Sequence, residues 1–134
     1  MISIEQKQEY FDFANKILNV NFDPKICIAI ASLDDDANVL GVVVFSGFCV
    51  HTVELSVASC SPKFLTRRFL NVIFHYAFIT AGKRRINAVI EDGNINAIQM
   101  DLRLGFVQEA VCKHWYGDID GILLRMLKEE CKWI

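Results

Sequence analysis

The sequence predicts a mixed α/β (α+β) fold, a central twisted sheet of parallel and antiparallel strands flanked by helices, in a single domain over residues 1–134. Three observations predict it. Apolar, β-branched runs enclose a short polar tip twice, at Ile26–Leu33 with Val39–Phe45 and at Phe106–Trp115 with Ile122–Leu127, so an antiparallel hairpin stands early and late. Between them a strand, a long helix and a strand succeed one another, a crossover that makes those two strands parallel. With 53% hydrophobic residues and ten Phe, the chain buries a full core without disulfide or metal.

Each element has its own signature. Ser3-Ile4-Glu5-Gln6 reads as a capping box, and Tyr10, Phe11, Ala14, Ile17 and Leu18 then recur at helical spacing opposite Glu9, Asp12 and Lys16. Asp34-Asp35-Asp36-Ala37-Asn38 forms the first hairpin tip; it lacks the alternation and distal Glu of a calcium loop. From His51 to Ala58 residues alternate, with Val53, Leu55 and Val57 on one face and Thr52, Glu54 and Ser56 on the other. Ser61-Pro62 opens a helix predicted to run to Ala81 and stop at Gly82. Its apolar residues cover most of its circumference, which buries it against the sheet. Arg85–Glu91 is the next strand, Asn94 caps a second helix that ends at Gly105, and Gly117–Gly121 turns the last hairpin.

Composition excludes several classes. The net charge of −2 argues against a general nucleic-acid binder, even though Lys63, Arg67, Arg68, Lys83, Arg84 and Arg85 could form a local patch. MISIEQKQEY carries no signal-peptide pattern and no apolar stretch spans a bilayer, so the expected location is cytoplasmic, without membrane contact. The five cysteines are odd in number, contain no CxxC pair and mostly fall in apolar runs, so buried reduced thiols are expected. The three histidines show no metal-ligand spacing, and no metal is expected.

The helix start at Ser61 carries the strongest local chemical signal. A helix N-terminus is partially positive and offers free N–H groups, yet Lys63, Arg67 and Arg68 crowd this one with no acid to offset them. Backbone donors and cations together suit a phosphate or pyrophosphate, just past a strand where α/β proteins bind ligands.

From Val39 onward the chain resembles the GNAT superfamily of acyl-coenzyme A-dependent N-acyltransferases, and within it small bacteriophage- and prophage-encoded members. The segments that carry the likeness are VELSVAS, TRRFLNVIFHYAFITAGKRRINAVIEDGNINAIQMDLRLGF and ILLRMLKEECKW, above all Asn94, Ala97 and Leu104-Gly105-Phe106. The resemblance implies transfer of an acetyl group from acetyl-CoA to a primary amine of a small molecule or protein by direct attack, without a covalent enzyme intermediate. It implies a cytoplasmic setting, that of a bacterial host for a phage-encoded member, and a possible homodimer. It places the coenzyme against Ser56 and Val57 of the central strand, against Asn94 and Ala97, and at the helix start. There the family's glycine-containing pyrophosphate loop is replaced by Pro62–Arg67, so Lys63, Thr66, Arg67 and Arg68 are expected to hold the phosphates.

Thioester aminolysis needs a base for the amine, donors for the oxyanion and an acid for the thiolate. Glu54, the lone acid of its strand, is the candidate base. Asp101 occupies the position where many members place a general-acid Tyr. With Ile98, Leu102 and Gly105 forming the packed stripe, Asp101 is expected to face solvent and the acid role passes to Tyr116 or to water, with Tyr76 the other side-chain candidate. The rival reading is a catalytically weak or inactive module of the same fold that binds acyl-CoA or a protein partner.

Overall fold

In the computed structural model, which describes residues 1–134, seven strands form one sheet. They are β1 (Ile2–Ser3), β2 (Ile28–Leu33), β3 (Val39–Ser46), β4 (Thr52–Ser59), β5 (Arg85–Glu91), β6 (Val107–Tyr116) and β7 (Ile119–Leu127). Their spatial order is β1-β2-β3-β4-β5-β7-β6. Every neighbouring pair is antiparallel except β4 and β5, which are parallel as the crossover requires. The predicted mixed sheet and both hairpins are present.

The start of the chain differs from its predicted reading. Ser3 opens no helix; it pairs with Ala31 as part of β1, and the terminal amine donates to the Leu33 carbonyl at 2.8 Å. Gln6 extends that edge: its side chain donates to the Ala29 carbonyl (2.9 Å) and accepts from the Ala29 N–H (2.8 Å). A sheet edge thus takes up the polar groups that a capping box would have used. Helix α1 (Gln8–Leu18) begins later and has no side-chain cap. It lays Tyr10, Phe11 and Ala14 on Ala29, Ala31, Val42, Val44 and Ala58, whose small side chains admit the two aromatic rings.

The crossover helix is three pieces rather than one. Ser61 caps only a short 3₁₀ turn, Pro62–Phe64, by accepting from the Lys63 N–H. The chain then resets, and Thr66 caps α2 (Arg67–His75) by accepting from the Phe69 N–H at 3.1 Å. Residues 76–80 form a π-helical turn. Sequence periodicity explains the widening. Phe69, Leu70, Ile73, Phe74, Ala77 and Phe78 are all buried and repeat every four residues. An α-helix turns about 40° past full circle in four residues, so such a stripe drifts, and a wider turn brings it back to the sheet. Phe64 reaches the same core, and its ring lies 2.7 Å from where a Cβ on Gly41 would stand, so β3 must carry glycine there. Each of these buried Phe rings contributes about 2–3 kcal/mol of hydrophobic stabilisation.

Helix α3 (Ile95–Leu104) follows β5 on the α2 side of the sheet and ends at Gly105, whose φ of 111° is the left-handed stop that the sequence predicts. Of the five cysteines only Cys27 is buried. Cys49 and Cys60 are exposed, and Cys112, on the sheet-edge strand β6, and Cys131 are half-buried. No helix is long and apolar enough to cross a membrane.

Candidate active site

β4 and β5 pair over only three residues, Thr52–Glu54 with Arg85–Asn87. Beyond that step β4 continues to Ser59, still held by β3, and β5 continues to Glu91, still held by β7. The parallel neighbours therefore diverge toward their C-terminal ends, and the facing backbone edges lose their ladder partners. Between them opens a slot of ≈ 350 Å³. It reaches both faces of the sheet: α3 supplies Asn94, Ala97 and Asp101 from one side, while Leu18 and Phe22, from α1 and the loop after it, close the other.

The slot gathers five of the residues singled out from sequence: Ser56, Val57, Asn94, Ala97 and Tyr116. Asn94 caps α3, its side-chain oxygen accepting from the Ala97 N–H at 3.4 Å. Tyr116 comes in from β6 and its hydroxyl donates to the Val89 carbonyl at 3.0 Å. Burial, reinforced by the charges of Glu91 and Glu54, raises its pKa above the usual phenol value.

The other candidates lie outside the slot lining. Glu54 is exposed, on the strand face opposite Val53 and Leu55, and stands across from Asn87 at the last paired step where the strands part. Lys63, Arg67 and Arg68 are exposed at the start of the crossover helix and have no carboxylate partner within ion-pair distance. The Thr66 hydroxyl accepts from its own helix. The Arg67 guanidinium lies 5.6 Å over the ring of Trp133, which is itself anchored by donating to the Leu104 carbonyl at 2.7 Å.

Asp101 departs most from expectation. It is 3% exposed, not solvent-facing, and it lines the slot. The α3 stripe runs through Ala97, Asp101 and Leu104, and it is Leu102 that is exposed. Desolvation raises the Asp101 pKa to about 7. The signal was present in the spacing: Asp101 follows Asn94 by seven residues, two helical turns, so a slot-facing Asn94 brings Asp101 to the same side.

A helix start, a pair of splayed parallel strands and a late hairpin around one slot decide the fold. It is the GNAT acyltransferase fold. A spermidine N-acetyltransferase from Vibrio cholerae, in complex with CoA and spermine, matches with a TM-score of 0.74 at 13% identity over 97% of this chain and 96% of that one. A ribosomal-protein-S5-alanine acetyltransferase from Vibrio fischeri matches with a TM-score of 0.63 at 22% identity over 81% and 65%. A second Vibrio cholerae structure, a spermidine/spermine N-acetyltransferase with manganese ions, gives 0.74 at 14% over 96% and 92%. No family profile and no curated protein sequence matches the chain. At these identities the likeness is one of fold.

Proposed function

We propose that the chain is an N-acetyltransferase that moves an acetyl group from acetyl-CoA to a primary amine. The observation that carries this reading is the slot, which joins two faces of the sheet between backbone edges with no strand partner. Free N–H and C=O groups on the β4 edge suit the amide-bearing pantetheine arm of the coenzyme, and an N–H of the same edge suits the oxyanion of the tetrahedral intermediate. Ser56 and Val57 lie along that arm, and Asn94 and Ala97 bound it from α3. Lys63, Arg67 and Arg68, at the helix start that follows β4, are the cations suited to the diphosphate.

The acceptor amine enters from the opposite face, past Leu18 and Phe22. Glu54 and Glu91 both act on Tyr116 through their charges, so that mouth is electronegative and favours an ammonium ion. Glu54 takes the proton, directly or through water, and the neutral amine attacks the thioester carbon. Apolar walls beside the two acids suit an amine on an apolar stem. The rival reading, a module that binds acyl-CoA or a partner without turnover, draws on one observation: the Lys63 and Phe69 N–H groups donate to the Ser61 and Thr66 hydroxyls, which leaves fewer backbone donors for phosphate.

The test is calorimetric titration with acetyl-CoA, followed by an assay of free CoA release over a panel of apolar, polar and polycationic amines. Binding is expected, with turnover on at least one amine. Glu54→Gln should lower turnover by about 100-fold while leaving acetyl-CoA affinity within a few-fold. Binding without release on any amine would favour the module, and no binding would remove the coenzyme from the reading.

A further inference from the structure

We propose that the chain has a second binding site, apart from the slot, that takes a small uncharged aromatic molecule bearing a hydrogen-bonding group. The site is a cavity of ≈ 620 Å³ between the crossover helix and the sheet edge at β1 and β2. It shares no lining residue with the slot. Nothing in it depends on acetyl transfer.

The sequence makes this cavity from a mismatch. β1 is two residues long and covers little of β2, and after Gln6 the chain leaves for α1, which packs on the other face of the sheet. The β2 face toward α2 presents Ile28 and Ile30. Opposite them α2 and the π-turn present Asn71, His75, Tyr76 and Thr80, whose spacing puts them on one side of the helix. An apolar floor thus meets a polar stripe, and the two cannot close on each other without stranding the polar groups. The volume falls in the range of small-molecule sites, about 300–1,000 Å³. A protein partner would need about 800 Å² of this surface, and the exposed side of α2 around the cavity is polar, with Asn71, His75 and Thr80.

Tyr76 sets the chemistry of the occupant. It is a candidate acid in the sequence, yet it lies outside the slot and lines this cavity instead. Its ring rests against Phe45, with centroids 5.2 Å apart, which fixes its direction. Burial alone raises its pKa, since no charge and no hydrogen bond acts on its hydroxyl. No sealed side-chain polar atom in the chain lacks a partner, so that hydroxyl opens on the cavity, where it is a neutral donor. No Lys, Arg, Asp or Glu lines the cavity, and the other titratable group there, His75, is exposed. A charged ligand would leave water for walls that offer it little counter-charge. A flat apolar body loses nothing by lying on Ile28 and Ile30, and a carbonyl or similar acceptor on it receives the Tyr76 hydrogen.

The experiment follows the backbone amide resonances of the isotope-labelled chain during titration with 2-naphthamide, 2-naphthoate and 2-naphthylmethylamine, one ring system in neutral, anionic and cationic form. The amide should shift Ile28, Tyr76 and Thr80 and saturate with a Kd below about 1 mM. The two charged forms should bind there at least about 5-fold more weakly. Tyr76→Phe should keep the folded spectrum and weaken the amide by about 5-fold. No shift at these residues, or shifts confined to slot residues such as Ala97, overturns the site. Equal binding of the three forms overturns the ligand class, and unchanged affinity in Tyr76→Phe overturns the role of the hydroxyl. Self-association of the free chain that broadens the same resonances as its concentration rises also overturns the proposal, because a second copy is then the occupant.

Discussion

Two helices begin at the same end of the sheet, and their first turns are built in opposite ways. α2 and the 3₁₀ turn before it carry Lys63, Arg67 and Arg68, exposed and outside the slot. α3 has no charged residue in its first turn, and Asn94, Ala97 and Asp101 all line the slot. One start offers long-range charge to solvent. The other offers shape and a single desolvated carboxyl to an interior. The contrast teaches that a basic helix start, the louder sequence signal, can stand outside the slot, whereas the slot lining comes from the quieter helix.

Three perturbations test that division, and the largest concerns α3. Asp101 has a folded pKa of about 7 against an ordinary value of 3.8, so the folded chain binds its proton more tightly than the unfolded one. Stability from this group is therefore greatest below pH 4 and falls as pH rises toward 7, by up to about 4 kcal/mol at 1.36 kcal/mol per pH unit. Asp101→Asn should remove that slope, and urea titrations at pH 5 and 8 would show it. An unchanged slope would return Asp101 to solvent. Next, Ala97→Trp should fill the slot and weaken acetyl-CoA binding by about 100-fold, independently of salt, as read by calorimetry. Smallest is the α2 side: Arg67→Ala with Arg68→Ala should weaken binding by about 10-fold at low salt, with the loss shrinking as ionic strength rises. A salt-independent loss there, or a salt-dependent one at Ala97, would break the comparison.

Much of the sheet was legible because alternation and turn chemistry are local. The hairpin tip at Asp34–Asn38 is closed by the Asp34 carboxylate accepting from the Asp36 and Asn38 N–H groups, chemistry that the residues themselves announce. Asn94 and Gly105 bound α3 as predicted for the same reason. What failed was decided at a distance. Ser3-x-x-Gln6 is a good capping box, but β2 lay within reach and took both residues. Pro62 is a good first helical residue, but Phe64 had to turn into the core against Gly41, so the helix restarted at Thr66. The stripe of Ile98, Leu102 and Gly105 predicts a solvent-facing Asp101, whereas the helix turns Asp101 to the slot and leaves Leu102 exposed. In the site, Ser56, Val57, Asn94, Ala97 and Tyr116 share one lining, and the sequence supplies no rule by which the splay would exclude Glu54 one residue before Leu55.

The three-residue seam between β4 and β5 has a thermodynamic consequence. On one side lies a four-stranded ribbon, β1 to β4; on the other lies a three-stranded one, β5, β7 and β6; Thr52–Glu54 and Arg85–Asn87 supply the only strand rungs between them. Cooperative melting requires that the loss of one ribbon be felt by the other, and here that message travels mainly through the packing of α2, α3 and the shared core. An extended, amide-bearing occupant of the slot would add rungs where the chain has none. It would act as an eighth strand on loan, tying the two ribbons into one calorimetric unit and sharpening the transition as well as raising its midpoint.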